Sequence, residues 1–442
     1  MNFTKTILTA ALAFALGLCS SQAKGKDDGF VRTSGVHFYK GNSEKPYYFL
    51  GTNMWYAPIL GSKGEGGNRK RLCAELDSLK LLGVNNLRIL VGADAGSKNA
   101  NTVKPYLQPE PGKLDENLLN GLDYTLQQMH KRGMVAVIYL TNSWDWSGGF
   151  GFYLKNAGLP DSPDSHGEGY NDYVDYAKAF YTNDKALTLF DSFVKQIVSR
   201  KNSITGKLYT QDPTIMAWQL CNEPRPFGGQ ETKESFIKWI RHTSDLIKSL
   251  DPNHLISTGS EGVIGCHVGK GICCEEDQQL CTLVHGLNNI DYMTVHIWPA
   301  NWGWASKDRL FDALQNVYVK TEDYLEQHNR IATSINKPYV VEEFGYPRDH
   351  NLYAPDISTQ ARDGFYEFIF NALLDSKSSD GPMAGCNFWG WSGSGRPSAQ
   401  EWKSGADYLN DPPHEPQGWY SVYNTDSTTI KLITNTAKSV NE

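Results

Sequence analysis

Eight short runs rich in β-branched and aromatic residues succeed one another along the chain, at 47–56, 85–90, 134–141, 215–223, 255–262, 292–298, 339–345 and 385–391, with no hairpin signal between any two. Helical spacing fills the gaps. Leu72, Leu76, Leu79 and Leu82 share one helix face that ends at Gly83, a C-cap residue. "ENLLNGLDYTLQQMHKRG" and "ALTLFDSFVKQIVSR" behave alike, and the last segment, "DSTTIKLITNTAKSV", opens on Asp426 as an N-cap. Strands separated by helices run parallel, and eight such units predict an α/β fold, a single (β/α)8 TIM barrel. The rival, a doubly wound open sheet, lacks a Gly-rich phosphate turn after its first strand.

The 442 residues carry a formal net charge of -7, and no run of Lys and Arg tracks a phosphate backbone or an anionic membrane surface, which argues against nucleic acid as a partner. The N-terminus has Lys5, an apolar stretch from Ile7 to Leu18 and the small-x-small site Ser21-Gln22-Ala23. This reads as a signal peptide over 1–23 and not as a membrane span, with 24–442 as the catalytic domain and a secreted or periplasmic, monomeric product; lipid anchoring at Cys19 is the alternative. Of 8 cysteines, four fall between Cys266 and Cys281. In an exported chain these predict one or two loop disulfides, with a structural zinc site including His267 as the weaker reading.

A parallel barrel builds its active site at the C-terminal ends of its strands. Those ends carry Asn53, Arg88, Asn142, Asn222-Glu223, Glu261, His296, Glu342-Glu343 and Trp389. Glu223 closes the fourth strand and Glu343 lies near the end of the seventh, so they face each other across the mouth. Two opposed carboxylates are the equipment of glycosidic bond hydrolysis, one protonating the leaving oxygen and the other attacking the anomeric carbon. A second carboxylate nearby is expected to raise the pKa of whichever of the two acts as the acid toward neutrality. Strand alternation admits only one of Glu342 and Glu343 to the mouth and does not itself say which. Aromatic residues make up 12% of the chain, and Trp144 and Trp146 sit in an exposed Gly-flanked loop suited to stacking on sugars.

The runs "DPTIMAWQLCNEPR", "VVEEFG", "HIWPANWGW" and "GCNFWGWSGSGR" resemble glycoside hydrolase family 5, and its endo-β-1,4-mannanase branch most closely. The resemblance implies Glu223 as acid/base and Glu343 as nucleophile, leaving Glu342 as a surface or helix-facing acid. It implies substrate contacts from Arg88, Asn222, His296, Trp298, Trp389, Trp144, Trp55 and Asn142. No metal or cofactor follows from it. Two positions depart from the family pattern: Trp298 stands where a Tyr commonly meets the nucleophile, and Gln219 where mannanases often have Glu. The implied activity is retaining hydrolysis inside mannan, glucomannan or galactomannan. The alternatives are a β-1,4-glucanase or exo-β-mannosidase on the same scaffold, or a carbohydrate-binding protein without turnover.

Overall fold

The computed structural model describes residues 29–95 and 102–442. Eight parallel strands form one sheet: β1 Phe49–Asn53, β2 Asn86–Leu90, β3 Val135–Tyr139, β4 Ile215–Gln219, β5 Leu255–Ser257, β6 Met293–Ile297, β7 Tyr339–Phe344 and β8 Met383–Phe388. Every residue in them is buried, as expected of strands covered by side chains inside and by helices outside. They pair in the order β6-β7-β8-β1-β2-β3-β4-β5. The β5–β6 seam is bridged by Asp291 N to Ile256 O (2.8 Å) and His296 N to Glu261 O (3.2 Å). The predicted barrel is therefore present.

A long helix follows each strand: α1 Arg69–Leu81, α2 Glu116–His130, α3 Asp184–Val198, α4 Lys233–Leu250, α5 Glu275–His285, α6 Leu314–Ile335, α7 Gln360–Ser378 and α8 Ser427–Asn441. Asn68, Asp115 and Asn183 start α1, α2 and α3 by accepting a bond from a first-turn amide, and Gly83 follows α1 at φ 80°, a left-handed turn open to glycine at no steric cost. Asp426 stands before α8 as the sequence predicts, but its side chain makes no cap. It binds Arg348 Nη2 and Arg362 Nη2, both at 2.7 Å, because two buried guanidinium groups outbid one helix amide for a carboxylate.

An antiparallel hairpin, Val31–Ser34 with His37–Lys40, covers the N-terminal end of the barrel. Its Phe38 is fully buried, with ring centroids 5.3 Å from Tyr292 and 6.2 Å from Phe49, residues at the starts of β6 and β1. With the lower end plugged, the open end is the C-terminal one.

The disulfide expectation is not met: all seven cysteines of the described residues are free. Cys274 accepts at the N-cap of α5, and Cys281 turns inward, to 3.4 Å from His285 Nδ1 and into contact with the Cys266 thiol. The segment read as a signal peptide, with Cys19, lies outside the described residues. Among the described residues no helix is long and apolar enough to cross a membrane.

Candidate active site

Beyond β4 the chain turns sharply at Glu223, whose φ of 49° lies in the left-handed region that non-glycine residues rarely adopt. Two contacts hold it there: its N–H donates to Gly259 O (2.9 Å) and its carbonyl accepts from Ser143 Oγ (2.6 Å). Strain at one residue costs on the order of 1–3 kcal/mol and persists only when its surroundings enforce it. The turn aims the carboxylate inward, where Oε2 accepts from Trp144 Nε1 (2.7 Å) and Oε1 meets His296 Nδ1 (2.8 Å).

On β7, Val341 pairs with Val295 and Glu343 with His296, so Glu342 has no partner on β6. This bulge suspends the alternation of side chains. Glu342 is buried, contrary to the surface or helix-facing position expected of it. Its oxygens accept from Gln219 Nε2 (2.7 and 2.9 Å) and from the Tyr292 hydroxyl (3.4 Å), and Arg88 Nε is 3.5 Å away. Glu343 enters the mouth, where Oε2 accepts from Trp298 Nε1 (3.3 Å) and Oε1 accepts from Arg88 Nη1.

Arg88, fully buried at the end of β2, ties these parts together. It donates to Glu343, Asn222 Oδ1 (2.8 Å), Gln219 Oε1 (2.8 Å) and Asn53 Oδ1 (3.2 Å). With these bonds made, it orients Asn222 and Glu343 from behind. Gln219 thus serves as a neutral bridge, accepting from the arginine and donating to Glu342.

His296 Nδ1 and one oxygen each of Glu223 and Glu343 lie within 4.8 Å of one another. Burial disfavours the imidazolium, but the surrounding glutamates, Glu343 first, raise the His296 pKa to about 10. Burial likewise opposes an ionised Glu223, yet His296, Arg225 and Trp144 outweigh it and hold that carboxyl below its ordinary range. Burial, aided by the Glu223 charge and opposed by His296 and Arg88, lifts Glu343 to about 7. In the unliganded site the raised carboxyl is therefore Glu343 and not the expected Glu223, because the imidazolium stands closest to Glu223. The spacing of these three groups would admit a metal ion, but the imidazolium already supplies a positive charge there. A second group with ligand-like spacing, Asp145, Asp164 and His166, lies in the loop after β3.

A cleft of about 420 Å³ opens over this centre. Of the residues predicted to contact substrate, Trp144, Asn222, Trp298 and Trp389 line it together with Glu223 and Glu343. His296 and Arg88 sit just beneath. Asn142 is fully buried and acts one step back: its Oδ1 accepts from Asn222 Nδ2 (3.2 Å) and Trp144 N (3.1 Å). Trp55 is not a cleft residue. It is 2% exposed, its indole N–H donates to Asn410 O (2.8 Å), and its ring packs on Tyr56, Trp146 and Tyr408. The sequence reading assigned no role to Arg225, which grips Glu261 through two nitrogens (2.5 and 2.6 Å) and lies 5.2 Å from the Trp144 ring centre, or to His166, His414 and Glu415 in the wall. Arg225 follows the Asn-Glu-Pro run directly and was the most findable of these.

The sequence profile described as GH family 5 beta-mannosidase-like matches residues 28–442. The chain belongs to glycoside hydrolase family 5. Mannan endo-1,4-beta-mannosidase 1 of Oryza sativa subsp. japonica is 30% identical over 379 residues, 84% of this chain and 81% of the relative. Mannan endo-1,4-beta-mannosidase 5 of Arabidopsis thaliana is 29% identical over 94% of this chain and 90% of its own. Among solved structures, the glycoside hydrolase family 5 mannosidase of Rhizomucor miehei superposes with a TM-score of 0.84 at 34% identity, covering 94% of this chain and 99% of that one. The endo-beta-1,4-mannanase of Thermotoga petrophila does so with a TM-score of 0.66 at 25% identity, covering 90% and 78%.

Proposed function

We propose that this glycoside hydrolase cleaves internal β-1,4-mannosidic bonds of β-mannan, glucomannan or galactomannan by retaining double displacement, with Glu343 as nucleophile and Glu223 as acid/base. The observation that carries this reading is the close approach of the two carboxylates, with oxygens within 4.8 Å of each other. Retaining enzymes hold their carboxyl groups about 5–5.5 Å apart, whereas inverting ones leave about 6.5–9.5 Å for a water. The names of the plant relatives and of the Thermotoga structure support mannan as the substrate.

In the first half-reaction a Glu343 oxygen attacks the anomeric carbon as the glycosidic bond breaks, and the leaving oxygen takes a proton from Glu223. His296 stores that proton one hydrogen bond away. As Glu343 becomes an ester its charge vanishes, the largest support for the imidazolium goes with it, and the proton moves toward Glu223. In the second half-reaction Glu223 takes a proton from water, which attacks the anomeric carbon and frees Glu343. Trp298 and Arg88 donate to the nucleophile, so indole N–H and guanidinium do the work of the missing Tyr. Asn222, braced by Arg88 and Asn142, presents an amide to the sugar, where a bond to the 2-hydroxyl strengthens in the transition state.

The 1–23 segment, read as a signal peptide, goes with export of the enzyme to where polysaccharide is found. Digestion of mannan, glucomannan, soluble cellulose and xylan, with product sizes followed over time, tests the whole reading. Mannan and glucomannan should fall rapidly to short oligosaccharides. Faster cleavage of cellulose would reassign the substrate, and release of mannose alone from chain ends would replace internal with terminal cleavage.

A further inference from the structure

The clustered cysteines stand behind the turn that carries Glu223. Leaving β5, the chain passes Gly259, whose carbonyl accepts the Glu223 N–H (2.9 Å), and Glu261, whose carbonyl accepts the His296 N–H (3.2 Å) and whose carboxyl grips Arg225. It then makes a short turn at Ile264–Cys266 and reaches α5 through a stretch that includes the exposed Ile272. Whatever steadies this segment steadies the backbone around Glu223.

Two histidines pin its first half. His285, on α5, meets Thr258 Oγ1 at Nε2 (2.9 Å) and donates to the Cys281 carbonyl through Nδ1 (2.9 Å). His328, on α6, accepts from Val263 N at Nε2 (3.0 Å) and donates to Tyr324 O through Nδ1 (2.6 Å). At the far end stands Cys266, and its thiol touches that of Cys281, which lies one turn of α5 before His285. Both cysteines are fully buried. Other thiols have other neighbours: Cys73 faces Tyr124 and Gln128, Cys221 donates to Asn222 O (3.2 Å), and Cys274 caps α5. The cluster is not among the groups of the described residues with metal-ligand spacing, and His267, the residue of the zinc reading, is more than half exposed and 3.6 Å from Asp277.

We infer that Cys266 and Cys281 are a modification site, joined as a disulfide when the chain folds in the presence of a glutathione or protein disulfide, and that this bond staples the segment carrying Gly259 and Glu261 to α5. One cysteine thiolate attacks the oxidant RSSR, which gives a mixed disulfide and releases RS⁻; the second thiolate attacks the cysteine sulfur of that mixed disulfide and displaces the other RS⁻. The two cysteines lose two electrons to RSSR, and their two protons leave on two RSH. Because both sulfurs are buried in the finished fold, the exchange precedes its closure. The structure holds the pair as thiols, the form that folding under reduction gives. The cross-link also closes the loop from 266 to 281 in the unfolded chain, which loses conformational freedom by it.

The test produces the chain in a reducing and in an oxidising cytoplasm of the same host, caps free thiols with iodoacetamide at lysis, and maps non-reduced peptides by mass spectrometry. A peptide pair linking Cys266 to Cys281 is expected from the oxidising host alone, with a Tm about 3 °C above that of the reduced protein. That difference should vanish in Cys266→Ala and Cys281→Ala and survive in Cys273→Ala and Cys274→Ala. Capped Cys266 and Cys281 from the oxidising host, a link from either to Cys273 or Cys274, or a glutathione adduct on either overturns the inference. So does a linked protein that melts with the reduced one. Should Cys266→Ala or Cys281→Ala fail to fold, the maps and melting curves of wild type and Cys274→Ala decide. No outcome depends on the polysaccharide cleaved, so the functional reading stands or falls separately.

Discussion

Glu342 and Glu343, adjacent on β7, both lie inside the barrel, because β6 offers a partner to Glu343 and none to Glu342. One bulge thus places two carboxylates under the same mouth, the outer beside Arg88, His296 and Trp298 and the inner clasped by Gln219. Their substitutions should fail in different ways.

Glu343→Ala should leave the protein folded and lower turnover roughly a thousandfold or more on every substrate, since in the proposed mechanism no other group forms the covalent intermediate. Glu342→Ala should instead lower stability by about 2–4 kcal/mol in urea unfolding, because it strands one N–H of Gln219 Nε2, whose other N–H is held by Ser257 Oγ, and leaves Arg88 less compensated. A Glu342→Ala protein as stable as wild type would contradict the buried placement.

The pH profile follows from the electrostatics. As the proposed nucleophile Glu343 must be ionised to attack, and its pKa is lifted to about 7, so kcat/KM should fall as pH drops through that region. His296 lowers the Glu343 pKa. Replacing it in His296→Gln removes that help, so the acidic limb should move to higher pH. A limb that stays in place or moves down would show that His296 does not carry the charge assigned to it.

Far from the cleft, Asp426 binds two buried arginines, Arg348 and Arg362. Asp426→Ala should cost about 3–5 kcal/mol in unfolding free energy, because two guanidinium groups lose their counter-ion. Burial opposes the ionised Asp426, but the arginines outweigh it and depress its folded pKa. Its contribution is therefore present above the unfolded value of about 3.9 and is lost as pH falls through the folded one. Acid unfolding of wild type and variant should converge at low pH.

Much of this was legible in the sequence where one physical rule acts alone. Parallel strands covered on both faces must be apolar throughout, so runs such as 215–223 and 339–345 mark β4 and β7 to within a few residues. Polar residues ending such runs mark the mouth, which exposes Glu223 and Glu343. Alternation misplaced Glu342 because a bulge leaves no mark in composition. Trp55 ends a strand like a cleft residue, yet Asn410, supplied by a distant loop, takes up its N–H. His414 stayed hidden because its place in the cleft wall depends on packing against Trp146 and His166 of the loop after β3. The cysteine cluster showed spacing without geometry.

Trp144 donates to the very oxygen of Glu223 opposite the one that meets His296. Trp144→Phe should keep the ring and lose that bond, which favours ionised Glu223. Its carboxyl should then hold a proton more readily, which moves it toward the form the acid step needs, so kcat/KM should fall less on polysaccharide than on an aryl mannoside that needs no acid. Equal losses on both substrates would mean that Trp144 acts through stacking and not through Glu223.

Proton NMR of the first product of mannotetraose hydrolysis, recorded before mutarotation, tests the central claim most directly. A nucleophile and an acid/base this close leave no room for an inverting water, so the β-anomer should appear first. Appearance of the α-anomer first would contradict Glu343 as a covalent nucleophile and the double displacement with it.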